Sequence, residues 1–65
     1  MTAADIPLAD QIAAVRKAAD NAAVMAKAVR RNPALVRGWQ AHEAGLRAAL
    51  ATLEDIDRIN KEAGR

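Results

Sequence analysis

The stretch that decides the fold is LADQIAAVRKAADNAAVMAKAV, Leu8 to Val29, in which Leu8, Ile12, Val15, Ala19, Ala22, Ala26 and Val29 recur at alternating spacings of four and three residues. That alternation is a heptad seam, the pattern of a long helix that buries one narrow stripe against a partner helix. The central seam positions Ala19, Ala22 and Ala26 are small, so the stripe is buried only if the partner comes close. Nothing in the stretch breaks a helix. Its filling residues are Ala, Gln, Arg, Lys and Met, strong helix formers, with β-branched residues only at isolated positions. Asp10 sits near the positive end of the helix dipole and Lys27, Arg30 and Arg31 near the negative end, as the dipole favours.

Working outward, Met1 to Asp5 reads as a short frayed end, with Asp5 as a helix cap and Pro7 tolerated in the first turn because it has no amide to leave unpaired. Thr2 and Asp5 have capping-box spacing, but Pro7 favours the later start. Downstream, Asn32-Pro33 is the strongest punctuation in the chain. Asn32 can cap a second helix that begins at Pro33, and the same proline pushes Asn32 into extended geometry that discourages continuation of the first. The expectation is an all-α antiparallel hairpin: a first helix over about 6–31, a turn over about 31–33 and a second helix over about 33–62. A single kinked rod and a longer turn running through Gly38 to a helix starting near Trp39 are the alternatives.

The second apolar pattern runs through Leu35, Trp39, His42, Leu46, Ala49 or Leu50, Leu53, Ile56 and Ile59. Folded back, it would place Leu8 and Ile12 against Ile56 and Ile59, Val15 against Leu53, and Ala19 and Ala22 against Leu46 and Leu50, with Val29 near Leu35 and Trp39. Small residues on one helix would then receive large ones from the other. Gly45 costs a helix about 1 kcal/mol relative to alanine, which makes sense where another backbone approaches closely. Gly64 reads as a stop signal, with a mobile Arg65 after it.

Composition makes this core thin. The chain has 65 residues and is 52% hydrophobic, but 18 of its hydrophobic residues are alanine and only 16 are larger. A monomer of this size buries only about 60% of the surface its unfolded chain exposes. Self-association is expected on those grounds. Val24, Met25, Leu50 and Trp39 exceed what a two-helix seam needs, which points to two hairpins packing as a four-helix bundle. The dimer and core seam is expected to comprise Leu8, Ile12, Val15, Ala19, Ala22, Met25, Ala26, Val29, Trp39, Leu46, Leu50, Leu53 and Ile56, with a heterologous protein helix as the competing partner.

Catalysis has little to work with. The sequence contains no Cys, Tyr or Ser, and its single histidine is His42. His42 and the adjacent Glu43 point about 100° apart on a helix, and neither an HExxH arrangement nor a convergent carboxylate pair can be built. The reading is therefore a non-enzymatic chain with no cofactor and no metal. His42 reads as an interface-edge histidine and Trp39 as a core or dimer anchor. The acids Glu54, Asp55 and Asp57 can pair at helical spacing with Arg58 and Lys61, an ordinary solvated face. Without cysteines there is neither a disulfide nor a thiolate metal site. No apolar run approaches the length of a transmembrane helix and the first ten residues lack a signal-peptide pattern, so a soluble, cytoplasmic chain with no membrane partner is expected.

The net charge of +2 does not by itself imply nucleic acid. Its distribution is more informative. Lys27, Arg30, Arg31 and Arg37 surround the turn, and no acid occurs between residues 21 and 42. Such a patch can meet phosphates or an acidic partner, although half of it also serves the dipole of the first helix. No compact third helix and no aromatic platform accompany it, which weighs against sequence-specific recognition.

Two blocks, LADQIAAVR at Leu8 to Arg16 and LRAALATLE at Leu46 to Glu54, resemble small helical proteins of alphaproteobacterial genomes and their prophages, a family without an established activity. The middle, Asn32 to His42, departs from the more aromatic and basic middle of that family. What the resemblance implies is a helical, phage-associated accessory protein, with no catalytic positions to carry over. In size and architecture the chain is also similar to the small helical-hairpin dimers that regulate plasmid copy number by binding paired RNA loops. Those proteins spread their binding residues along a helix pair, whereas the basic residues here gather at the turn. The first reading is thus a protein-protein interaction or assembly protein, and the second a small RNA- or DNA-binding regulator.

Overall fold

In a computed structural model describing residues 6–64, the chain is a hairpin of two helices, α1 (Leu8–Ala28) and α2 (Pro33–Ala63). The expected caps at Thr2 and Asp5 and the expected mobile end at Arg65 lie outside the described residues. Pro7 sits at the start of α1 in an extended conformation, φ −55° and ψ 145°. Its carbonyl accepts from the amides of Asp10 and Gln11 at 3.0 and 3.1 Å. The Gln11 side chain reaches back to donate to the Ile6 carbonyl at 2.9 Å, which fastens the incoming chain to the first turn.

α1 gives way to the turn at Val29, and the reversal is made by two tight i→i−3 bonds, Arg30 N–H to Lys27 at 3.3 Å and Asn32 N–H to Val29 at 2.8 Å. Asn32 is extended, φ −117° and ψ 96°, as a residue before proline must be. Its side-chain oxygen accepts from the Leu35 amide at 3.2 Å, and Pro33 follows at the first helical position. Every feature needed to start a helix is therefore concentrated in Asn32-Pro33. The chain reverses there, so neither the kinked rod nor the longer turn through Gly38 is formed. At the other end, Gly64 closes α2 with its amide on the Asn60 carbonyl at 3.0 Å, without a left-handed backbone, φ −77°.

The helices meet along a seam that on α1 follows the heptad stripe. Ala19 and Ala22 are 0% and 1% exposed and Ile12 9%, while Leu8, Val15, Met25, Ala26 and Val29 are half-buried. An alanine that reaches zero exposure between two helices shows how near the second backbone comes. On α2 the seam is Val36, Trp39, Glu43, Leu46, Leu50, Leu53 and Asp57, with Leu50 8% exposed and the others half-buried. The phase of α2 thus differs by one residue at both ends from the expected stripe. Val36 replaces Leu35, Glu43 replaces His42 and Asp57 replaces Ile56; Leu35, Ile56 and Ile59 are 49%, 43% and 56% exposed.

Two acids can occupy the seam because each is held by a base four residues later. Glu43 accepts from Arg47 Nε at 2.9 Å and Asp57 lies 3.0 Å from Lys61 Nζ. Each carboxylate therefore stays at the margin of the seam, paired and partly hydrated. The close backbone approach expected at Gly45 does not come from α1, since a Cβ placed there, or at Gly38, would meet nothing within 4 Å. The hairpin measures 50 × 25 × 13 Å, and its thickness is that of one helix with its side chains.

Candidate functional site

The seam divides the hairpin into two long edges of opposite chemistry. Among the residues one place after the seam positions are Arg16, Asp20 and Lys27 on α1, Arg30 in the turn, and Arg37, Arg47, Glu54 and Arg58 on α2. In an antiparallel pair these positions fall along the same edge of the hairpin, and both interhelical ion pairs form there. Arg16 meets Glu54 at 3.3 Å and Arg47 meets Asp20 at 3.4 Å. Glu43 adds its hydrogen bond and charge to Arg47, which raises the pKa of that guanidinium above its ordinary value even against a desolvation that lowers it. The four groups of the interhelical pairs are substantially exposed, so those pairs contribute little net stability and chiefly mark which edge faces water.

The opposite edge, one residue before each seam position, holds no charge. On α1 it reads Gln11, Ala14, Ala18, Asn21, Met25 and Ala28. On α2 it reads Leu35, Gly38, His42, Gly45, Ala49, Thr52 and Ile56, and the same spacing continues to Ile59; all of these α2 residues are exposed. Met25 is half-buried where this edge joins the seam, whereas Val24 is 61% exposed. Toward the turn the edge opens into a shallow depression of about 340 Å³ lined by Ala34, Leu35, Gly38, Trp39 and His42. The Trp39 and His42 rings stand edge to face there with centroids 5.9 Å apart.

The second candidate surface is the turn itself. Lys27, Arg30, Arg31 and Arg37 are all exposed, and the first three line a depression of about 570 Å³ together with Ala28, Val29, Asn32 and Leu35. Arg37 lies just beyond it, one residue after Val36. No ion pair to an acid holds any of these four among the described residues. Among the described residues, no polar or charged side chain is buried and no three His, Cys, Asp or Glu side chains converge on a common point. No helix is long and apolar enough to cross a membrane among them.

Of the residues that the sequence singles out, Leu8, Ile12, Val15, Ala19, Ala22, Met25, Ala26, Val29, Trp39, Leu46, Leu50 and Leu53 pack between the helices. Ile56 stands outside, on the uncharged edge. Leu50 is spent entirely on the hairpin and leaves no spare surface for a further partner. Sequence reasoning offered Ala49 as an alternative to Leu50 and Gly45 as a point of close approach, and passed over Gly38 and Thr52 as members of this edge. Their signal is the lack of charge at every position of a second heptad stripe one residue ahead of the first. The chain matches no family model, and neither the curated proteins nor the solved structures yield a relative.

Proposed function

We propose that this chain is a non-enzymatic protein-protein interaction or assembly protein that binds through the uncharged edge of its hairpin. The observation that carries the reading is the asymmetry of the two edges. One is laced with ion pairs, while the other exposes Leu35, Ile56 and Ile59 with no charge along the full length of either helix. A solvated helix face normally carries charge, and an edge of small and neutral residues with large apolar ones exposed toward both ends suits a surface that another helix covers. The resemblance of the LADQIAAVR and LRAALATLE blocks to phage-associated helical proteins agrees with an accessory role of this kind. The test is Ala49→Glu. Ala49 is exposed in the hairpin, so the variant keeps its helical circular dichroism while losing the ability of a tagged chain to retain either a second copy or another protein. Unchanged retention would remove the edge from the reading.

The cations at the turn, which meet no acid among the described residues, support a second reading, binding to phosphates of RNA or DNA. Its signature is salt dependence. Replacing Arg30 and Arg31 by Gln should flatten the slope of log affinity against log salt by roughly 1.4 to 1.8. Absence of any binding to a mixed nucleic-acid pool at low salt would end that reading.

A further inference from the structure

The geometry points to a second copy of this chain as the occupant of the uncharged edge, with α2 packed antiparallel on α2 of the partner about a two-fold axis between Gly45 and Ala49. This rests on the edge being an interaction surface and names what covers it. The stripe from Leu35 to Ile59 alternates steps of three and four residues, so reversing it about its midpoint returns the same spacing. In that register Gly45 of one chain faces Ala49 of the other at the centre, where the backbones come nearest. A Cβ at Gly45 meets nothing within the hairpin, so the room for that approach is present.

Chemistry matches outward from the centre. His42 meets Thr52, the two hydrogen-bonding side chains of the stripe opposite one another. Gly38 meets Ile56, a gap against a large side chain, and Leu35 meets Ile59 at each end. All three exposed large residues of the edge are then covered. A shift of one heptad in one direction leaves Ile56 and Ile59 uncovered, and a shift in the other leaves Leu35 uncovered.

Charge selects the same arrangement. The turn end carries Lys27, Arg30, Arg31 and Arg37, while at the open end Asp10, Glu54, Asp55, Asp57 and Glu62 nearly balance Arg16, Lys17, Arg58 and Lys61. Antiparallel packing sets the two basic turns at opposite ends, each beside a nearly balanced open end. Parallel packing would gather all eight turn cations at one end and oppose His42 to its own copy. Across the two-fold axis the sizes complement rather than repeat one another, so the stripe supplies both halves of its own fit. The hairpin also has cause to pair: it is one helix thick, and among the described residues only Ile12, Ala19, Ala22 and Leu50 are buried.

The experiment uses two single-cysteine chains, Gly45→Cys and Ala49→Cys, since the natural sequence contains no cysteine. Under mild oxidation an equimolar mixture should give mainly the mixed disulfide dimer, with each variant alone linking at least several-fold more slowly. Sedimentation equilibrium of the unsubstituted chain should show twice the monomer mass, returning to the monomer with Ala49→Glu at unchanged helical signal. Faster linking of Ala49→Cys to itself than to Gly45→Cys overturns the antiparallel register. A helical monomer at the highest soluble concentration overturns self-association altogether. If that monomer still retains another protein that Ala49→Glu loses, the interaction reading stands and only the second copy falls; if Ala49→Glu changes nothing, both fall.

Discussion

Ala19 and Ala22 are the residues on which the hairpin closes, and they do so by being small. Burying an alanine stabilises far less than burying a leucine, so their contribution lies in the distance they permit rather than in area. Enlarging one should therefore separate the helices. Ala19→Leu is expected to cost about 1–3 kcal/mol through overpacking. Ala13→Leu, on an exposed part of the same helix, should stay within about 0.5 kcal/mol. Thermal unfolding followed by circular dichroism separates the two. Equal losses in both would mean that helix α1 is not held by a close-packed seam. Glu43 and Asp57 are the opposite kind of seam residue, tolerated there through Arg47 and Lys61.

At the scale of the element, α1 was written plainly in the sequence. Its stripe carries apolar or small residues at every heptad position, and the structure buries or half-buries each of them. α2 was harder for a physical reason. It carries two stripes one residue apart, and its large apolar residues are divided between them. Leu35, Ile56 and Ile59 belong to the outer stripe, while the inner one contains two acids, so hydropathy alone draws the phase toward the wrong set. The helical spacing of Glu43 to Arg47 and of Asp57 to Lys61 was the available signal, because a paired acid can stand at a seam margin where an unpaired one cannot. The start of α2 shows the reverse case, where local chemistry suffices. Asn32 caps and Pro33 begins, and Asn32→Ala should destabilise the hairpin by about 1 kcal/mol. A lowered midpoint with the helical content otherwise intact is the expected melt; no shift would mean the turn is held by packing alone.

For the molecule as a whole, the two-helix reversal was legible, and the direction of the remaining apolar surface was not. The expected spare residues were Val24, Met25, Leu50 and Trp39, chosen because they exceed one seam. Leu50 proves to be core and Trp39 and Met25 lie at the seam margin, but Val24 is exposed as expected, and Leu35, Ile56 and Ile59 add surplus on the uncharged edge. Which edge is free depends on which one carries the interhelical ion pairs, and that follows only once the register of α1 against α2 is known. Arg16 with Glu54 and Asp20 with Arg47 mark that register.

The two seam acids have one more consequence, which concerns how the helices find their alignment. A heptad seam of alanine and leucine is nearly the same after a shift of seven residues, so slipped pairings compete with the correct one. Glu43 and Asp57 are not repeated at that interval. A slip of one heptad carries Glu43 into the place of Leu50, 8% exposed, or of Val36, and carries Asp57 either into the Leu50 site or past the end of the seam. A carboxylate moved to the Leu50 position would keep its own base four residues on but lose the water it has at the margin. The acids therefore act as graduations along an otherwise uniform rod, and the hairpin has a single alignment in which both of them reach the margin.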